Sequence, residues 1–276
     1  MAASLFDTIA TNLKAGLGQV QDTYRDGWNA AAGGSKWDLL EKKASLAVAA
    51  PAWTAIKGGA SPTHAGGLPI KAPTSPAKLL LLNARAMSRT QLTPTVRLLD
   101  VIGYANFNCT STALQTFTGF TLPRWTNGEC LQLYILARSA VGAAAPVATI
   151  KYTSNFGTIN RTATVTLLAS VAQGQIAHEE DFIALDTSSG VTDRGVLSVT
   201  SIQLSTSWLA GTAVLVLCKS LTTIEVPSTN RVGLRLLYSE GTPQLIDSQE
   251  AYINAQYVAD AAGTPKVHYG TDICEA

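Results

Sequence analysis

Charged side chains are scarce in this chain: Asp, Glu, Lys and Arg make up 14% of its 276 residues, against roughly a quarter in an ordinary globular protein. A surface with so few charges is either an uncharged Thr/Ser exterior or one covered by partners. No apolar run approaches the roughly 18 residues of a membrane-spanning helix, and Asp7 interrupts the start of the chain before any leader-like apolar stretch can form. The expectation is a protein folded in a cytoplasm, without a membrane partner. The four cysteines, Cys109, Cys130, Cys218 and Cys274, contain no C-x-x-C pair, so neither a zinc knuckle nor a small disulfide scaffold is expected.

Catalytic vocabulary is equally thin. His64, His178 and His268 stand far apart, with no i, i+4 pair for a metal. There is no G-x-S-x-G elbow, and the glycines between residues 58 and 67 lack the Gly-Lys-Ser/Thr of a phosphate loop. The densest acidic run, His178-Glu179-Glu180-Asp181 with Asp186 and Asp193 beyond it, supplies hard oxygen ligands but not the spacing of a calcium loop. A solvated loop accounts for it better. The reading is a non-enzyme without cofactor or metal. Residues 1–95 carry ten Lys/Arg and five Asp/Glu, and residues 96–276 ten and fourteen. The basic residues are nonetheless scattered, and nucleic-acid binding is not favoured.

What the sequence does contain falls into two parts. In the first, Leu5, Ile9, Leu13, Leu17, Val20, Tyr24 and Trp28 recur every three or four residues, a spacing that predicts an amphipathic helix. Gly16 and Gly18 weaken it by about 1 kcal/mol each. A second short helix is expected from Ser35 as N-cap through Trp37, Leu40 and Ala44. Residues 51–78 then hold five of the eleven prolines and four glycines, a composition that favours extended chain ordered against another surface. Residues 1–78 therefore read as an arm. Its candidate partner-binding anchors are Leu5, Ile9, Leu13, Tyr24, Trp28, Trp37 and Trp53, large side chains suited to gripping a neighbour.

In the second part, residues 79–276, short β-branched and apolar runs alternate with Gly, Asn, Asp, Ser and Pro clusters. The predicted strands are 79–84, 96–102, 113–117, 131–137, 148–154, 162–168, 182–185, 197–206, 213–219, 232–238 and 252–258. Two hairpins are expected, 149–154 with 162–166 and 198–205 with 212–217, the second needing a bulge near Ser201 to restore alternation. Trp125 and Trp208 read as core. The expected fold is mainly β: a jelly-roll-like β-sandwich body with an N-terminal helical and extended Pro/Gly-rich arm.

Several stretches carry a resemblance. They are Lys43-Ala-Ser-Leu, Val96-Arg-Leu-Leu-Asp-Val-Ile-Gly, Thr112-Ala-Leu-Gln-Thr, Tyr152-Thr-Ser-Asn-Phe-Gly-Thr, Arg161-Thr-Ala-Thr, Gly190-Val-Thr-Asp-Arg-Gly-Val-Leu-Ser-Val-Thr-Ser-Ile-Gln-Leu and Ser205-Thr-Ser-Trp-Leu-Ala-Gly-Thr. Together they resemble a family of virion structural proteins of tailed bacteriophages and prophages, over roughly residues 43–221, and the ends of the chain depart from it. The resemblance implies a virion component assembled in the host cytoplasm, of the capsid decoration, cement or minor capsid type. Its implied partners are the major capsid protein and copies of itself. It brings no catalytic residues.

Overall fold

The computed structural model describes residues 11, 15, 18–26, 35–38, 40, 51–57, 70, 79–89, 95–187, 193–227, 231–237, 244–246, 251–259 and 266–275; for residues 19–26 and Lys266 the description is of the backbone alone. The described chain is mainly β and its strand pairings are antiparallel. In chain order the strands are β1 (Gly18–Asp26), β2 (Lys36–Asp38), β3 (Trp53–Ala55), β4 (Leu79–Ser88), β5 (Thr95–Asn108), β6 (Gln115–Thr116), β7 (Leu131–Ala137), β8 (Val147–Ser154), β9 (Arg161–Thr166), β10 (Val196–Leu204), β11 (Thr212–Glu225), β12 (Val232–Arg235), β13 (Gln244–Ile246), β14 (Ile253–Val258) and β15 (Lys266–Glu275).

Among the described residues the strands form three sheets, where a jelly roll has two. The central one runs β2-β14-β5-β11-β7, with β3 continuing the edge of β5 where β14 ends. Its two outer strands are joined by residues 174–177. Asp38 N–H donates to Gly174 O and Ile176 N–H to Lys36 O on one side, while Ala137 N–H donates to Gln175 O and Ala177 N–H to Ile135 O on the other. The sheet thus closes into a small barrel with no free edge there. Its interior holds Leu40, Ile56, Leu99, Val101, Tyr104, Tyr134, Leu136, Ile176, Val214, Val216, Cys218 and Tyr252.

Two further sheets cover the barrel's outer face. Sheet β6-β10-β8-β9 packs on Leu131, Leu133, Ile135, Leu215 and Leu217, and sheet β1-β15-β4-β12, with β13 also on β4, packs on Val96, Leu98, Ile253 and Ala255. The 14-residue strands β5 and β11 are long enough to serve both. Register shifts at Leu217/Cys218 and Ser220/Thr222 mark where they pass from one flanking sheet to the other.

Several sequence expectations change here. The N-terminal helix is replaced over residues 18–26 by β1, which pairs with β15 through nine residue pairs. An α-type bond, Ala15 N–H to Thr11 O at 3.0 Å, precedes it, and Leu5, Ile9, Leu13 and Trp28 lie outside the described residues. The expected short helix is strand β2 over Lys36–Asp38, Leu40 is helical, and residues 41–44 lie outside the described residues; the Ser35 hydroxyl accepts the Trp37 indole N–H. Residues 182–185 form no strand. The first hairpin forms as β8 and β9, and β10 carries a register shift between Val199 and Ser201. The second hairpin does not form, because β10 belongs to a flanking sheet and β11 to the barrel. Alternation cannot separate a hairpin from an arch between packed sheets, since both bury every second residue.

Candidate functional site

At the end of the barrel where β5 begins and β11 ends, the mouth is a cleft of about 260 Å³ lined by Lys36 on β2, Thr95 and Arg97 on β5, Thr223 on β11, Gln256 on β14 and Asp181. Lys36 and Arg97 face each other across it, and the Asp181 carboxylate bridges them at 3.0 Å and 2.5 Å. Lys36 Nζ also donates to Glu179 O, and the Arg97 guanidinium stacks over Phe182 at 5.0 Å. The hydrogen bonds from Arg97 and Lys36 hold the Asp181 carboxyl below its ordinary pKa. The acidic run of the sequence therefore closes the mouth with an internal ion triad.

Deeper inside, Asp38 accepts from Leu40 N–H at 2.6 Å, the Tyr134 hydroxyl at 2.9 Å and Asn254 Nδ2 at 2.7 Å. Burial pushes its pKa up against those bonds. On the barrel's outer side Arg124 and Asp100 form a fully buried pair. Asp186 and Asp193 are taken up by Arg161, and Tyr152 donates to Asp193 at 2.6 Å. Among the described residues no group of three His, Cys, Asp or Glu side chains could hold a metal ion. These pairings join segments far apart in sequence, which is what staples between strands do.

His178 has a distinct consequence. It is buried, its Nε2 accepts Ile135 N–H at 3.3 Å, and burial lowers its pKa to about 4. The unfolded chain takes up a proton near pH 6.5 that the folded chain refuses until about pH 4. Stability is therefore full above pH 6.5 and falls as the pH drops toward 4, by on the order of 3 kcal/mol for this group alone. The raised pKa of Asp38 acts in the opposite sense at the acid end. Urea midpoints measured from pH 7 to pH 4.5 are expected to fall for the natural chain and to fall less for His178→Gln, whose amide oxygen still accepts from Ile135. Parallel slopes for the two chains would remove His178 as the cause.

The second candidate is a surface. Residues 101–123, 139–150, 162–177 and 195–218 contain no Asp, Glu, Lys, Arg or His. The fold brings the turns within them to one end of the molecule, opposite the mouth. Ser139 meets Thr212, Val141 N–H donates to Val171 O, Ser170 N–H to Gly142 O, Gly142 N–H to Trp208 O, and Trp208 N–H to Cys109 O. Exposed there are Leu114 (59%), Leu209 (64%) and Val147 (37%), set among exposed Thr110, Thr112, Ala140, Ala143, Ser205 and Ala210. The bordering cation, Arg138, donates to Asn106 Oδ1.

Of the expected anchors, Trp37 and Trp53 are buried inside the chain's own fold. Trp37 sits between β14 and the flanking sheet. Trp53 donates its indole N–H to Thr121 O, packs on Phe120, and lies so close to Gly103 that a Cβ there would meet its ring at 2.4 Å. Tyr24 lies in β1, with only its backbone described. Trp125 and Trp208 are both core. The exposed Leu114 and Leu209 escaped the sequence reading, although the charge-free stretches that flank them were a usable signal.

No protein-family model matches the chain, and no curated protein matches it. Solved structures that match include that of infectious bursal disease virus, Gt strain, at 10% identity over 94% of this chain and 80% of the other. They also include the VP2 subviral particle of the same virus, at 11% identity with the same coverage. The TM-score is 0.19 in both cases, so the likeness defines neither fold nor function for this chain.

Proposed function

We propose that this protein is a non-enzymatic structural subunit of a phage virion, a capsid-associated decoration or cement protein that binds the coat lattice and copies of itself. The observation that carries the reading is the polarised surface. Among the described residues, one end of the β body carries no charged side chain and displays leucines, an arrangement suited to permanent contact and costly to leave in water. The Lys36–Asp181, Arg124–Asp100 and Arg161–Asp193 pairs tie strands and loops together, which is a structural use of charge. The resemblance of residues 43–221 to phage virion proteins supplies the kind of assembly.

Strands β1, β2 and β3 all come from residues 1–78, and they pair with β15, β14 and β5. Deleting that segment would open the barrel as well as remove any attachment it makes. Incorporation is therefore better tested on the intact chain. Quantitative mass spectrometry of purified particles is expected to find the protein at a simple ratio to the major coat protein. A handful of copies per particle would move it to a vertex or the tail, and absence from particles would end the virion reading.

A further inference from the structure

We propose that the charge-free end of the barrel docks against the same end of a second copy of this chain, with Leu209 and Leu114 as the central contacts. This names a partner for the surface on which the assembly reading rests, and it has its own test.

The choice of a second copy follows from charge matching. A partner that brought Lys, Arg, Asp or Glu onto this face would bury them without a counter-ion, which is strongly unfavourable. The partner surface must itself lack charge, and this chain carries such a surface over four of its segments. Two-fold symmetry would set the patch on its own copy, so that uncharged surface meets uncharged surface.

The backbone points the same way. Leu209 adopts φ 68°, a left-handed conformation that disfavours a side chain with a Cβ. Its surroundings enforce it. Trp208 is fully buried with its indole N–H on Leu168 O at 3.0 Å, and Gly211, at φ 87°, lies where a Cβ would meet Ala140 O at 2.5 Å. The turn from Trp208 to Gly211 therefore fixes the backbone that directs the exposed Leu209 outward. A backbone ordered before docking costs no further backbone entropy at that contact.

Sedimentation velocity of the full chain over a concentration series tests this. The natural protein is expected to self-associate. Leu209→Lys and Leu114→Lys, both at exposed positions, should weaken association by roughly thirtyfold while leaving the thermal midpoint unchanged. Ile159→Lys, equally exposed at the opposite end in the β8–β9 turn, should associate as the natural chain does. A natural chain that stays monomeric at high concentration overturns the proposal. So does association that survives both leucine variants, or leucine variants that lose only binding to coat protein. Association through this face by a protein absent from particles would leave the inference standing and remove only the virion reading.

Discussion

Arg124→Met is expected to lower the unfolding free energy by about 3–5 kcal/mol, the range for leaving one partner of a buried ion pair alone. The Arg124 guanidinium donates to both Asp100 oxygens, through Nε at 2.9 Å and Nη2 at 2.6 Å. It also reaches Ile56 O at 2.7 Å and Val101 O at 2.5 Å. Asp100 further accepts from the Trp125 indole at 2.8 Å and Tyr252 N–H at 2.9 Å. One cation thus joins the segment after β3, the middle of β5, and through Asp100 the entry to β14. Removing it leaves a carboxylate in the interior with two donors and no counter-charge, and leaves two carbonyls short of a partner. Adding Asp100→Asn to Arg124→Met should recover part of the loss, since the unpaired charge goes with it. Urea unfolding at pH 7 measures both, and a loss below about 1 kcal/mol for Arg124→Met would contradict the role given to this pair.

Trp208→Ala should cost a similar amount, about 3–5 kcal/mol. The ring is wholly buried in the core between the barrel and the β6-β10-β8-β9 sheet, and its indole N–H satisfies Leu168 O. Truncation leaves a cavity under four turns that meet at the charge-free end, and releases the geometry that presents Leu209. Self-association should weaken along with stability. Trp208→Phe, which fills most of the volume, should lose only about 1–2 kcal/mol and keep association near that of the natural chain. Equal losses in the two variants would show that the indole hydrogen bond, rather than the packed volume, holds the turn.

Local pattern was enough where neighbouring segments make the contact. Strand β7 was legible residue for residue, and the β8–β9 hairpin to within one or two residues at its ends, because β-branched residues and a turn cluster lie within a few residues of each other. The shift in β10 near Ser201 was legible too, since a broken alternation leaves one way to keep Val199 and Ile202 on the buried side. Beyond that range the pattern misled. Val20 and Tyr24 fit a helical stripe as well as they fit a strand, and nine pairs with β15, some 250 residues away, settled β1 as a strand. β15 itself passed unnoticed, although Val267, Tyr269 and Ile273 alternate with His268, Gly270 and Asp272; β4 and β1 pair with it on both sides.

The sequence by itself determined the β class of the body, the burial of Trp125 and Trp208, and the poverty of charge, each a property of composition or of spacing along a few residues. Tertiary structure alone decided that residues 174–177 close a sheet into a barrel, that β10 and β11 part into different sheets, and that Trp37 and Trp53 face inward. It also decided that four charge-free stretches, separated by charged ones along the chain, meet at one end. Each of these depends on backbone pairing or packing between distant segments, and such contacts leave no periodicity for a local reading to detect.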